Sequence, residues 1–187
     1  MVADQAKNAM ELIYSLNERA KELNCLYRID EALKNIRSDL EDVFYRILKA
    51  IPPGWQYPDV CEAKIYYEDT VYKTSEFNET GWVQTSGIYI GDEKVGEIKV
   101  FYTQPVRLVE GSVFLKEEQK LLDAIALRLG NFIFHKQLDE SYDKLEKAET
   151  ALNSLKEKDS KLLDILLNSD LEEIHKYLES PSKEISS

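Results

Sequence analysis

No apolar run in this sequence approaches the roughly 18 residues that cross a bilayer. The N-terminal Met1-Val2-Ala3-Asp4-Gln5 lacks the basic start and apolar stretch of a secretory signal. Membrane insertion is therefore not expected, and the expected location is the cytoplasm. Positive charge is also in deficit, with 24 Lys and Arg against 35 Asp and Glu, a net charge of −11. A nucleic-acid binder needs a basic face to displace counterions from phosphates, so no nucleic-acid partner is expected. Cysteine is scarce: Cys25 and Cys61 sit in separate segments with apolar neighbours and no CxxC spacing. They read as reduced core thiols of a cytosolic protein. With only two histidines besides, His135 and His175, the chain does not supply the three or four regularly spaced ligands of a metal site. No Gly-rich phosphate loop is present, so neither kinase activity nor a bound cofactor is expected.

What the sequence does contain is apolar and charged in unusual proportion. Of 187 residues, 43% are hydrophobic and 32% charged, a combination that suits a modest core beside long solvated helices. Residues 5–36 have a helical period uninterrupted by Gly or Pro. Ala9, Ile13, Leu16, Ala20, Leu23 and Tyr27 alternate steps of four and three, the spacing of a coiled-coil seam. A second stripe, Leu26, Ile29, Leu33 and Ile36, rotates away from it, as if the helix leaves a dimer seam and lies on a domain. Ser38-Asp39-Leu40-Glu41 has the form of a capping box with Ser38 as the cap. The helix that it starts should end at Pro52-Pro53-Gly54.

From Val60 the period becomes two. Cys61, Ala63, Ile65 and Tyr67 alternate with Glu62, Lys64 and Tyr66, predicting a half-buried strand. A short strand over 71–74 follows, then a polar loop with Asn78 and Gly81. Strands over 82–90 and 95–102 are joined at Gly91-Asp92-Glu93-Lys94, a hairpin signal. Short strands in succession with tight turns form an antiparallel sheet. After a connecting loop over 104–112, helix is expected from Phe114, with Leu121, Leu122, Ile125, Leu129, Phe132 and Ile133 on one broad apolar face. Beyond His135 that face narrows to Leu138, Tyr142, Leu145, Ala148, Leu152, Leu155, Asp159, Leu162 and Leu166. The repeated step of three at Leu145 is a stammer-like break in the heptad. Asn168-Ser169-Asp170 is expected to interrupt this helix before a short last one, Leu171 to Leu178, and Ser180 to Ser187 has the composition of a disordered end.

These segments predict an α+β fold: an antiparallel sheet of about four or five strands covered by helices and flanked by long N- and C-terminal coiled-coil helices. The parts are a coiled-coil helix over 1–24, a globular domain over 25–136, a second coiled-coil helix over 137–168, and a short helix with tail over 169–187. A stripe so narrow cannot bury itself on a globule, and the simplest partner is a second copy of the chain. Its seam would comprise Ile13, Leu16, Leu23, Leu138, Tyr142, Leu145, Leu152, Leu155, Leu162 and Leu166. The alternative pairs the two terminal helices within one chain.

Val95-Gly96-Glu97-Ile98-Lys99-Val100, followed by Phe114-Leu115-Lys116-Glu117-Glu118 and 121–126, resembles the C-terminal half of GAF domains. The segments 19–27, Ile51-Pro52-Pro53-Gly54-Trp55-Gln56-Tyr57-Pro58 and 114–130 are similar to the N-terminal sensor segment of some sensor histidine kinases and phosphoenolpyruvate-synthase-like proteins. The resemblance implies a GAF-like sensory and dimerising part of a larger protein, whose output domain lies elsewhere. It departs from ligand-binding GAF domains in giving little more than 74–82 to a lid. It also carries no cyclic-nucleotide motif and no Cys-His pair for a bilin.

His135, on a helix feeding a coiled coil, occupies the sort of place held by a kinase phosphoacceptor. Lys136 follows it, however, where an acidic residue is usual, and it reads as a helix-surface histidine. Most carboxylates fall beside Lys at helical spacings, as in Glu140/Lys144, the patterning of a solvated face. The aromatics crowd the sheet region, and Trp55, Tyr57, Cys61, Tyr72, Trp82 and Gln84 are the candidates for lining a pocket for an unidentified small molecule. The expected function is a non-catalytic sensory and dimerisation module of a signal-transduction protein such as a histidine kinase. Alternatives are a regulatory domain of a phosphoenolpyruvate-synthase or pyruvate-phosphate-dikinase-like protein, and a stand-alone protein-binding scaffold. Long helices suit signalling because thirty residues at about 1.5 Å each carry a twist roughly 45 Å.

Overall fold

The computed structural model describes residues 2–108 and 111–178. Among these residues three α-helices and four strands follow in the order α1 (Val2–Ala32), α2 (Leu40–Ala50), β1 (Cys61–Tyr67), β2 (Thr70–Lys73), β3 (Val83–Ile90), β4 (Glu93–Tyr102) and α3 (Lys116–Leu178). The fold class is the expected α+β, with one four-stranded antiparallel sheet in the order β2-β1-β4-β3. The chain divides into two compact units, one up to Leu138 and one from Asp139. Among the described residues no helix is long and apolar enough to cross a membrane.

Helix α1 ends at Ala32, short of the expected Ile36. The cause is local: Asn35 Oδ1 accepts from the Arg37 backbone N–H at 3.1 Å, and Ser38 N–H donates to Asn35 O. This side-chain turn draws the backbone out of the helical ladder. Leu33 and Ile36 still pack on the core from the turn. The cap of α2 is also displaced by one residue, because Asp39, not Ser38, accepts from Glu41 N–H at 2.8 Å. Pro52 and Pro53 close α2 with a 3-10 turn, as their ring chemistry requires.

The register explains the inner face of the sheet. Cys61 lies opposite Tyr102, Ala63 opposite Val100 and Ile65 opposite Ile98, so six side chains of one parity share one face. All six are buried beneath Ile29 of α1, Val43, Phe44 and Ile47 of α2, and Leu122, Ile125 and Leu129 of α3. The β3–β4 turn needs only Gly91-Asp92; Glu93 and Lys94 belong to β4. Gly91, at φ +58°, supplies the left-handed backbone that a two-residue hairpin demands at its first position. Val95 is extra in the pairing, a bulge, and its carbonyl accepts from Glu68 N–H instead.

On the opposite face the loop between β2 and β3 folds down over the strands. Phe77 packs on Phe101 with ring centroids 5.4 Å apart. Lys64 pairs with Glu79 and lies 4.6 Å above the Phe77 ring. The segment 74–82, the nearest thing to a lid in the sequence, thus covers apolar strand residues itself.

Helix α3 begins at Lys116, two residues later than expected, and continues without a break through Asn168-Ser169-Asp170. Those residues are weaker helix formers by only fractions of a kcal/mol, and neither Pro nor Gly lies beside them to stop the ladder. The expected separate helix over 171–178 is therefore the end of α3, while the expected tail from Ser180 lies outside the described residues.

Candidate functional site

The Pro-Pro-Gly-Trp-Gln-Tyr-Pro run joins three elements at one end of the sheet. Gly54 is there because α1 comes too close for a side chain: a Cβ at this position would stand 2.7 Å from Cys25 Cβ. Trp55, fully buried, donates from Nε1 to Gln84 Oε1 at 3.0 Å, and its carbonyl accepts from Lys21 of α1. The Gln56 backbone N–H donates to Glu118 of α3 at 2.7 Å. Tyr57 sets its ring edge against Tyr102 and donates its hydroxyl to Arg107 O.

Glu118 is the centre of this junction and is only 2% exposed. Besides Gln56 N–H, it accepts from the Tyr102 hydroxyl at 2.9 Å and from Leu115 N–H at 2.7 Å. The last contact is half of a capping box, in which the third helical residue reaches back to the residue preceding the helix. Burial raises the Glu118 carboxyl above its ordinary value, more than the three donors lower it. Burial, with the neighbouring Glu118 charge, also pushes the Tyr102 phenol far up, so it stays a donor. Periodicity carries no sign of this role, since residues 56, 102 and 118 meet only in three dimensions. The one local signal is a glutamate three residues after the start of a helix.

The other candidate residues divide. Trp55 and Gln84 are bonded to each other, and Cys61 lies on the inner face of the sheet, opposite Tyr102. Trp55 and Cys61 are buried and fill core volume. Trp82 is half-buried against the same core, and its carbonyl accepts from Tyr102 N–H. Tyr72 is on β2 beyond β1, edge-on to Phe44 with centroids 4.8 Å apart, and joins a different aromatic group. Gln84 lines a hollow of about 670 Å³ beside the start of α3. Tyr57 lines another of about 430 Å³ with Pro58, Pro105 and Arg107.

The two thiols are unpaired and buried. Desolvation pushes Cys25 up to about 12 and Cys61 well above the usual thiol value. Both are thus protonated, poor nucleophiles at neutral pH. His135 is exposed, its ring tilted on Phe134. Among the described residues no group of three or more His, Cys, Asp or Glu is placed to hold a metal ion.

The seam residues are well exposed. On α1, Ile13, Leu16 and Leu23 face away from the domain, with Leu23 66% exposed, while Cys25 and Ile29 of the same helix are sealed against it. On α3, Leu138, Tyr142, Leu145, Leu152, Leu155, Leu162 and Leu166 are all exposed. No family model matches this sequence, and no curated protein matches it.

Proposed function

We propose that the chain is a non-catalytic, cytoplasmic sensory and dimerisation module that pairs with a second copy of itself through α1 and α3. The observation that carries this reading is the two-sided character of α1. One face is buried on the sheet domain, yet the opposite face keeps Ile13, Leu16, Leu23 and Tyr27 in water at heptad spacing. Such a row of apolar side chains is stabilised by a partner with the same period, and an identical copy supplies it. The stripe on α3 starts earlier than Leu138. Leu127, 65% exposed, and Phe134 precede it at steps of seven and four, with Asn131 between them. The GAF-like order of elements supports the sensory part of the reading. A regulatory domain of a phosphotransfer enzyme would use the same surfaces.

Light scattering tests the dimer. The expected mass is twice 21.7 kDa, falling towards the monomer when residues 138–187 are removed. Asp159, a polar side chain in the α3 stripe, should weaken the pairing, so Asp159→Leu is expected to tighten self-association about tenfold. A monomeric full chain, unchanged by either alteration, would overturn the reading.

A further inference from the structure

We propose that the hollow of about 390 Å³ between α1 and α2 binds a small phosphate monoester as its dianion, held by Arg28, Arg46 and Lys49 beside the ring of Tyr27. This deepens the sensory reading by naming its ligand class, and it rests on that reading only for what the binding signals.

The hollow is lined by Tyr27, Arg28, Glu31 and Ala32 of α1 and by Arg46 and Lys49 of α2. Packing fixes both walls. Ile29 and Ala32 of α1 share one core with Val43, Ile47, Leu48 and Ala50 of α2, so the backbones that carry the three cations are held in place. In a chain with a net charge of −11, a local excess of positive charge runs against the trend. Three cations line this hollow against one carboxylate, and that carboxylate, Glu31, already faces Lys34 at 3.5 Å. Arg28, Arg46 and Lys49 have no side-chain hydrogen bond or ion pair among the described residues, whereas Arg128 is paired with Asp30 and Lys64 with Glu79. Lys49 stands in the last turn of α2, where a cation also suits the helix terminus. Arg28 and Arg46 stand before the last turns of their helices, and that effect does not account for them.

Charge selects the ligand. Like charges that converge without a counter-charge repel one another, and an anion between them turns that repulsion into attraction. Each guanidinium presents its N–H groups in a planar fork that matches two oxygens of one phosphate, and the ammonium adds a point charge. Three positive charges opposed by one negative suit a dianion better than a monoanion. Tyr27, 64% exposed, offers its ring and hydroxyl to the body of the ester. The volume lies at the lower end of the usual range for small-molecule sites. Tyr27 is also the last residue of the apolar row on α1, so a ligand held here lies at the edge of the proposed dimer seam.

Magnetic resonance titration of the isotope-labelled full chain with phenyl phosphate, at about pH 7.5 where the ester is chiefly a dianion, tests the site. Saturable shifts are expected at the backbone amides of Tyr27, Arg28, Arg46 and Lys49. Benzenesulfonate, a monoanion of similar shape, should bind at least about fivefold more weakly. Arg28→Gln and Arg46→Gln, both at exposed positions that leave the core untouched, should each weaken phenyl phosphate about fivefold. Glu31→Gln removes the opposing carboxylate and should tighten binding about two- to threefold. Lys144→Gln makes the same change of charge at an exposed position outside the hollow and should leave binding unchanged. No saturation up to about 10 mM phenyl phosphate, or equal binding of benzenesulfonate, would overturn the proposal. So would an equal loss in Lys144→Gln and Arg46→Gln, which would reduce the effect to the overall charge of the chain. The shifts are read at named residues whether the chain is monomer or dimer, so the site can fail while the dimer stands, and the reverse.

Discussion

Glu118→Ala is expected to cost about 3–5 kcal/mol of unfolding free energy, a large part of the margin of a domain this size. The substitution leaves three donors without their acceptor: the Tyr102 hydroxyl and the N–H groups of Gln56 and Leu115. Each buried unsatisfied donor costs about 1–3 kcal/mol, and water entering the space left by the carboxylate recovers part of the sum. These donors come from β4, the Pro-rich run and the start of α3, so the loss falls on the junction of three elements. Urea unfolding followed by Trp55 emission measures it. A loss below about 1 kcal/mol would mean that the carboxylate is not the anchor of this junction. Glu118→Asp, shorter by one methylene, should fall between the two, since it cannot reach all three donors.

The same carboxyl gives a pH dependence with a definite sign. Its folded-state pKa is raised above the ordinary 4.5, chiefly by burial. The folded protein therefore holds this proton more tightly than the unfolded chain does. The stability contributed is complete below about pH 4.5 and is lost as pH rises through the folded value. Glu118→Gln removes the titration. The difference in unfolding free energy, parent minus Glu118→Gln, should decline from pH 4.5 upward and then level. A difference that grows with pH would show that the three hydrogen bonds outweigh burial.

Residues whose environment is set by near neighbours were legible in the sequence. The alternation of Cys61, Ala63, Ile65 and Tyr67 marked the inner face of β1 because a strand places every second side chain on one side. Gly91-Asp92-Glu93-Lys94 marked the hairpin because few residues accept its backbone geometry, although Gly91-Asp92 alone makes the turn. The sealed half of α1 followed from its rotated second stripe. Where several local solutions are nearly equal in energy, the reading slipped. Ser38 and Asp39 are both good caps, and the glutamate spacing favoured Ser38, but Glu41 uses its backbone N–H on Asp39. Asn35 as a helix terminator competes with an apolar period that runs past it. The Trp55–Gln84–Glu118 junction was legible only in part. Trp55 and Gln84 were singled out as candidates to line a pocket in an aromatic region, whereas Glu118 was one acidic residue among many in a run of helical charge. Nothing in the order of residues says that β4 and the Pro-rich run will converge on it.

Gly130 concerns the same helix from its other side, and Gly130→Ala is expected to destabilise where the helical context alone would stabilise. In an exposed helix interior, Ala gains about 1 kcal/mol over Gly. Here an added Cβ would stand 2.2 Å from the carbonyl oxygen of Tyr89, a backbone atom that no rotamer change can move. Helix and strand must part by roughly 1 Å before the contact is tolerable, and overpacking of this kind costs about 1–3 kcal/mol or somewhat more. The net expectation, that cost less the helical gain, is a loss of up to about 2 kcal/mol. Gly81→Ala serves as the control, because nothing lies within 4 Å of its added Cβ and its change should stay within about 0.5 kcal/mol. The contact also bears on solubility. β3 is an edge strand, and an unpaired edge is a template for association with another chain. α3 covers it at two places, where Gln119 donates to Thr85 O at 3.3 Å and where Gly130 meets Tyr89 O. Moving the helix outward uncovers those carbonyls. Gly130→Ala should therefore lower the unfolding midpoint and also raise concentration-dependent association that mild urea disperses, an outcome distinct from the coiled-coil dimer because it persists when residues 138–187 are absent. A variant as stable as the parent, with no such association, would show that α3 can slide along β3 without loss.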